Sequence, residues 1–161
     1  MDERTYQADV AVIGAGLAGI CTALQLLDNH HSVLLIDASP EQRFGGQAQD
    51  AFGGMLLNNT PEQRRNGIND PSELFWHDWQ QAAQFTKDDA WAKRWAMAYC
   101  EHNRSEVYDW LHKRGIGFFP VVQWPERGNY GDGNSVPRYH IAWGCGKGIV
   151  NTLIKQLLER P

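Results

Sequence analysis

Residues 9–37 constrain the fold more than any other stretch of the chain. They read DVAVIGAGLAGICTALQLLDNHHSVLLID, which is an apolar run, a glycine-rich turn, an amphipathic segment, a second apolar run and a terminal acid. This is the pattern of a dinucleotide-binding βαβ unit, in which a strand leads into G-x-G-x-x-G, a helix follows, and a second strand ends in an acid. The order therefore predicts an α/β, Rossmann-like fold.

The three glycines of this turn have separate predicted roles. Gly14 allows the tight turn, Gly16 lets the backbone approach a pyrophosphate, and Gly19 lets the helix pack closely on the strand. The free N–H groups at the helix start favour an anion. Asp37 is predicted to accept hydrogen bonds from the adenosine ribose hydroxyls and to repel a 2′-phosphate. The cofactor-binding residues predicted from this unit are Gly14, Ala15, Gly16, Leu17, Ala18, Gly19, Asp37 and Ala38.

Hydrophobic spacing gives the elements on either side of the turn. Residues 10–13 form a continuous apolar run, which is typical of a parallel strand buried on both faces. The helix is expected to bury one face, formed by Ile20, Ala23, Leu24 and Leu27. At its end, where glycine is usual, the chain has Asn29, His30 and His31, which tolerate positive φ better than most residues.

Composition excludes several classes of protein. The chain has 161 residues, of which 42% are hydrophobic and 21% charged, so one domain with a core is expected. A net charge of −4 and the absence of Lys/Arg runs argue against nucleic acid and acidic membranes as partners. Because the N-terminus is polar and no long apolar run follows, no signal peptide and no membrane span are expected. Three distant cysteines fit neither a disulfide framework nor a metal site, so a cytoplasmic protein without metal is predicted.

A second glycine-rich segment follows the first unit. Gly45-Gly46 and Gly53-Gly54 bracket the polar residues 47–52. Two interpretations are open: the glycines form two surface turns, or they let the backbone approach a flat polar ligand, since glycine lacks Cβ.

Several segments together carry a family resemblance. The segments FGGQAQDAFGGMLL, PEQRRNGI, GIGFFPVVQWPERG and GNSVPRYHIAWGCGKGIV resemble the fumarate reductase/succinate dehydrogenase flavoprotein superfamily, in particular its 3-ketosteroid dehydrogenase-like FAD-binding dehydrogenases. The resemblance runs from about residue 8 to the end of the chain. It implies FAD rather than NAD, with the second glycine loop along the FAD pyrophosphate and flavin ring. The residues so implied are Gly45, Gly46, Gln47, Ala48, Phe52, Gly53 and Gly54.

The middle of the chain changes to a helical pattern. Helices are predicted from Asp70 onward, with N-cap candidates in residues 70–73, from Asp88 or Asp89 to Cys100, and over 103–113. Five of the seven tryptophans fall here, which indicates core packing or the wall of a site for an apolar molecule. The predicted divisions are 1–60 for the N-terminal half of the FAD-binding domain, 61–135 for a helical and aromatic insertion, and 136–161 for the return to that domain.

A short extended segment over 117–122 and a long loop over 123–137 are predicted next. The resemblance places an active-site tyrosine at the position of Trp124. Because tryptophan has no hydroxyl, that role is not transferred, and the catalytic residues stay unidentified.

Two polar side chains stand out in the last third of the chain. Arg138 and His140 are expected on the same face of an extended segment. They either contact the flavin or a substrate, or form an ion pair and a structural histidine. The glycine-rich residues 144–148 then open a helix over 149–158. Their spacing is not that of a P-loop, so close packing of this helix is the favoured explanation.

The resemblance also implies an activity. Enzymes of this group are several hundred residues long, so the chain is expected to be the N-terminal part of a larger flavoprotein and to be inactive alone. The implied reaction transfers hydrogen to or from a CH–CH bond next to a carbonyl, in a steroid-like apolar ketone, with an unidentified electron acceptor. A homo-oligomer is left open. The alternatives are a fumarate-type dicarboxylate reductase and a non-catalytic nucleotide-binding fragment.

Overall fold

The computed structural model describes residues 5–40, 43–120, 127 and 131–160. The chain divides into two compact units, one of Met1–Gly53 with Gly144–Pro161 and one of Gly54–Trp143. The elements in chain order are β1 (Val10–Ile13), α1 (Leu17–Asp28), β2 (Val33–Ile36), a 3-10 turn (Gly46–Asp50), β3 (Gly54–Leu56), α2 (Pro61–Arg65), α3 (Ser72–Ala83), α4 (Ala90–His102), a π-helical stretch (Asn103–Asp109), α5 (Trp110–Lys113), β4 (Phe118–Pro120), β5 (Tyr139–Ala142) and α6 (Cys145–Leu158).

The first unit contains the predicted βαβ arrangement. β1 and β2 pair in parallel, with Val10 opposite Val33 and Ile13 opposite Ile36. The 3-10 turn and α1 both pack against α6. The α/β fold predicted from the glycine pattern is therefore confirmed.

Helix α1 is built as its spacing predicts. Ile20, Ala23 and Leu24 are fully buried. His30 takes the left-handed conformation, with φ of 64°. The next N–H, that of His31, donates to the carbonyl of Leu26 at 3.1 Å and closes the helix end. His30 thus takes the left-handed conformation at the end of α1 that glycine usually takes.

The prediction that the first strand is buried on both faces is wrong. Ile13 is 85% exposed and Ile36 is 45% exposed. Burial alternates along β1, where Val10 and Val12 are half-buried and Ala11 and Ile13 are exposed, so the described residues cover only one face of the strand. A parallel strand is buried on both faces only where helices or other layers cover both of them.

The second unit is built around a three-stranded antiparallel sheet in the order β3-β5-β4. His140 on the central strand lies opposite Met55 of β3. β3 and β5 are paired strands and both belong to this unit. The two units therefore divide at 53/54 and 143/144, whereas the sequence predicts divisions at 60/61 and 135/136.

The helices of the second unit follow the predicted pattern with two differences. α2 was not predicted, although Thr60 and Gln63 form a capping box at its start. The first long helix begins at Ser72 after Pro71, so Asp70 is not its cap. The predicted long loop over 123–137, with Trp124, falls largely outside the described residues. No helix in the described ranges is long and apolar enough to cross a membrane.

The aromatic residues of this unit divide between core and surface. Phe75 is 2% exposed and its ring centroid lies 5.4 Å from that of Trp79. Trp91 and Trp95 are instead 70% and 74% exposed. A cleft of about 560 Å³ is lined by aromatic side chains, those of Trp79, Phe85, Trp95 and Tyr99. Trp79 thus both packs against the core and lines the cleft, and the binding of an apolar molecule in this cleft stays a prediction.

Candidate functional site

The first glycine turn leaves an open approach to the start of α1. Gly14 has φ of 100° and donates its N–H to the carbonyl of Ile36 at 2.7 Å. Gly16 is the N-cap of α1, and within the described residues no side-chain hydrogen bond caps the start of the helix. A Cβ placed on Gly14 or Gly16 would meet no atom of the described residues within 4 Å. The N-terminal N–H groups of a 12-residue helix therefore face open space, as an anion site requires.

Gly19 has a different function in the same turn. A Cβ on Gly19 would clash with the carbonyl oxygen of Gly14 and would lie 2.9 Å from its carbonyl carbon. Both atoms belong to the backbone and cannot move aside as a side chain could. The role predicted for Gly19, close packing of helix on strand, is confirmed.

The strand-end acid is joined to the turn by hydrogen bonds. The N–H of Ala15 donates to Oδ2 of Asp37 at 2.5 Å, and the N–H of Ser39 donates to Oδ1 at 2.7 Å. The bond from Ala15, and next the bond from Ser39, hold the pKa of the Asp37 carboxyl below its usual value. Asp37 is therefore an anion beside the turn, where a ribose hydroxyl could donate to its remaining lone pairs.

The second glycine loop lies directly against the first. The N–H of Gly45 donates to the carbonyl of Ala15 at 2.8 Å. Gly45 also forms a parallel bridge with Gly16. A Cβ on Gly46 would meet only the Cα of Gly16, at 3.5 Å, among the described residues. The structure thus brings the two loops together around one open region.

The other glycines of the second loop are explained by packing. A Cβ on Gly45 would clash with the side chain of Val150, and one on Gly53 would lie 2.7 Å from the backbone nitrogen of Gly146. A Cβ on Gly146 would in turn clash with the carbonyl oxygen of Ala48. The predicted close packing of the glycine-rich start of α6 is confirmed. This packing also explains Gly45 and Gly53 of the second loop. Neither of the two interpretations of that loop, surface turns or backbone approach to a ligand, included packing against α6.

The remaining residues of that loop differ in position. Gln47 and Phe52 are exposed, and Ala48 is half-buried. Gly54 lies in β3 of the second unit, where a Cβ would clash with the ring of Tyr139. The contacts predicted for these four residues with a bound molecule stay predictions.

Arg138 lies at the centre of a buried ion cluster in the second unit. Its side chain is fully buried. Nε and Nη2 donate to the Asp70 carboxylate at 2.7 to 3.0 Å. Nη1 donates to Asp78 at 2.6 Å and to the side-chain oxygen of Asn134 at 2.7 Å. The guanidinium carbon lies 4.5 Å from the centroid of the Phe75 ring.

The two carboxylates of this cluster titrate differently. Burial raises the pKa of Asp70 and outweighs the hydrogen bond from Arg138. Burial alone would also raise the pKa of Asp78, but the hydrogen bonds from Ser135 and Arg138 overcome it, so that the pKa of Asp78 is lowered. Asp78 is thus the more firmly ionised partner of the arginine.

His140 is held by the same network. Its Nδ1 lies 2.7 Å from the carbonyl oxygen of Arg138, and its Nε2 lies 2.9 Å from the Thr60 hydroxyl. Because a carbonyl only accepts, the proton belongs on Nδ1. His140 is 1% exposed. The contacts favour the structural interpretation for both Arg138 and His140, and a flavin or substrate contact for them stays a prediction without support from this geometry.

Sequence reasoning missed the partners of these groups. Asp70 was predicted as a helix cap, and Asp78 was not singled out. The available signal was the rule that a buried arginine must be paired, which points to acids elsewhere in the unit. Ser39, the second donor to Asp37, was also missed, although a serine two residues after an aspartate is a common Asx-turn arrangement.

Comparison with known proteins agrees with this geometry. The chain belongs to the family of the FAD binding domain, whose model matches residues 9–161. FAD is the cofactor of this family, and the open, uncapped start of α1 beside Asp37 fits it.

Curated and solved relatives extend the match. The chain is 46% identical over 164 residues to a KsdD-like steroid dehydrogenase of Mycobacterium tuberculosis, covering 99% of this chain and 29% of that protein. A flavocytochrome c3 fumarate reductase structure is 26% identical with a TM-score of 0.73, covering 95% of this chain and 25% of that one. A 3-ketosteroid-Δ4-(5α)-dehydrogenase of Rhodococcus jostii shares the fold at 22% identity with a TM-score of 0.75, covering 98% of this chain and 37% of that one. This chain thus spans about 29% of the length of the M. tuberculosis relative.

Proposed function

We propose that this chain is the FAD-binding part of a flavin-dependent dehydrogenase that acts on a CH–CH bond next to a carbonyl in an apolar, steroid-like ketone. The observation that carries the proposal is the 46% identity to a KsdD-like steroid dehydrogenase over nearly the whole chain. The match is stronger than the 26% identity to the fumarate reductase structure.

The glycine loops supply the proposed cofactor site. The N-terminal N–H groups of α1 would hold the pyrophosphate, because Gly16 leaves the approach open and no side chain of the described residues caps the helix start. Asp37 would accept from the adenosine ribose, with Ala38 beside it. Gly45 and Gly46 extend the site from the second loop, since Gly45 is hydrogen-bonded to Ala15.

FAD, when bound, supplies the acceptor for hydride removed from carbon. The residues of this chain bind and orient that group. They also favour a nucleotide without a 2′-phosphate, because the Asp37 carboxylate is ionised beside the ribose position. The acid or base that moves the second hydrogen is not assigned to any residue of this chain.

The buried arginine cluster argues against a dicarboxylate reductase that uses this chain's own cations. A dicarboxylate needs accessible positive groups. Arg138, for which a substrate contact was one of two open interpretations, already has two carboxylate partners and no exposed surface. The apolar ketone is therefore the preferred substrate class.

A cytoplasmic location and a small-molecule substrate complete the proposal. None of the three cysteines forms a disulfide, which is usual in a reducing compartment. The electron acceptor and the oligomeric state stay open.

The experiment that tests this proposal is anaerobic mixing of the FAD-loaded, full-length protein with a 3-keto steroid whose ring carbons next to the carbonyl are saturated, so that a CH–CH bond is present from which a hydride can be removed. A steroid dehydrogenase bleaches the visible flavin band as hydride moves to the flavin. In the control, the reduced protein is mixed with fumarate. Recovery of the oxidised flavin band by fumarate, without bleaching by the steroid, would overturn the proposed substrate class.

A further inference from the structure

The peptide group of Ala15 connects three segments of the first unit. Its N–H donates to Asp37 at the end of β2, and its carbonyl accepts from Gly45 of the second glycine loop. Ala15 is 1% exposed. The strand end, the first loop and the second loop are therefore joined through one buried residue.

Asp37 serves this arrangement with both of its carboxylate oxygens. Oδ2 accepts from Ala15, while Oδ1 accepts from Ser39, two residues further along. The second bond fixes the carboxylate in the orientation that reaches Ala15. An aspartate side chain is short enough to make both contacts close to its own backbone.

We propose that Asp37 is a positioning residue that assembles the two glycine loops before FAD binds, in addition to any contact with the ribose. A buried N–H that loses its acceptor is costly, so removal of the Asp37 carboxylate would displace Ala15 and, with it, the hydrogen bond to Gly45. The inference rests on the proposal that the glycine loops bind FAD.

The first measurement uses the chain without FAD. Amide hydrogen exchange of Ala15 and Gly45 is followed by NMR in the wild type, Asp37→Ala and Asp37→Asn. A positioning role predicts that exchange of both amides rises about tenfold or more in Asp37→Ala. Asn keeps a side-chain oxygen that can accept, so Asp37→Asn should restore most of the protection.

Asp28→Ala is the matched control. It removes an acid of the same type from the same unit, at the end of α1, where Asp28 pairs with Arg160. Exchange of the Ala15 and Gly45 amides should stay at the wild-type rate in this variant. If Asp37→Ala proves too unstable to measure, Asp37→Asn and Asp37→Leu give the same comparison, because the two side chains are similar in size and only asparagine has an oxygen that can accept.

The second measurement is the dissociation constant for FAD. Asp37→Ala should bind FAD about tenfold more weakly or worse, with partial rescue in Asp37→Asn. Unchanged exchange in Asp37→Ala together with weaker FAD binding would show a ribose contact alone and overturn the inference. If the variants show the expected differences in exchange but the wild-type chain binds no FAD, the cofactor-site proposal is overturned and the positioning role of Asp37 stands.

Discussion

The substitution Gly19→Ala tests the packing of α1 on the first turn. The added methyl would clash with the Gly14 carbonyl, whose carbon would lie 2.9 Å from the new methyl carbon. Overpacking against a fixed group costs about 1–3 kcal/mol. Alanine in a helix interior returns roughly 0.5–1 kcal/mol. Because the clash involves backbone atoms and cannot be relieved by a rotamer change, the upper part of that cost applies, about 2–3 kcal/mol, and the net expectation is a destabilisation of about 1–2 kcal/mol.

Thermal unfolding followed by circular dichroism measures this effect. For a chain of this size, about 1 kcal/mol shifts Tm by about 2–4 °C, so Gly19→Ala should lower Tm by about 2–8 °C. The matched variant is Gly16→Ala, three residues earlier, where the methyl meets no described atom within 4 Å. Gly16→Ala should keep its Tm and lose FAD affinity by about tenfold or more, because the methyl lies where the pyrophosphate approaches.

Two results would refute this reasoning. A Tm for Gly19→Ala equal to or above the wild-type value would mean that α1 does not approach Gly14 as closely as described. Wild-type FAD affinity in Gly16→Ala would mean that the open region beside Gly16 is not the cofactor site.

Three further predictions concern the second unit and the cysteines. Arg138→Met should destabilise the protein by about 3–5 kcal/mol in urea unfolding, because two buried carboxylates lose their cation. Asp78 has a lowered pKa, so its contribution to stability is present above the ordinary value of 3.8 and is lost as the pH falls below it. In Asp78→Asn, the free energy of unfolding should therefore fall less steeply on the acid limb of its plot against pH. Burial raises the pKa of Cys100 to about 12, so a thiol reagent at neutral pH should label Cys21 and Cys145 but reach Cys100 only after unfolding.

Each of these predictions has its own control. Arg65→Met removes an exposed arginine and should change stability little; an equally small loss in Arg138→Met would contradict the buried cluster. An unchanged acid limb in Asp78→Asn would contradict the lowered pKa. Labelling of all three cysteines at equal rates in the folded protein would contradict the burial of Cys100.

The first unit was largely predictable because its constraints are local. A helix of period 3.6, a turn that needs glycine and an acid at a strand end are all encoded within 29 consecutive residues, 9–37. The structure places Gly14, Gly19 and Ile20 as those rules require. The exposure of Ile13 was not predictable, because burial of a strand depends on the elements that pack on its two faces, which its own sequence does not specify.

The second unit shows the opposite case. Asp70 and Arg138 are 68 residues apart, and nothing in either local sequence indicates the other. The rule for helix caps assigned Asp70 to the nearest helix, but leaving a buried guanidinium without a carboxylate partner costs more free energy than losing a cap. β3 was missed for a similar reason, since three residues beginning with glycine become a strand only through pairing with β5.

The measurement that tests the central claim most directly is the visible absorption spectrum of the purified chain after incubation with FAD and removal of free cofactor. We expect a flavin band retained at an equimolar ratio, and its loss in Gly16→Ala. A folded chain that stays colourless after FAD is added would contradict the claim that the two glycine loops form the FAD site.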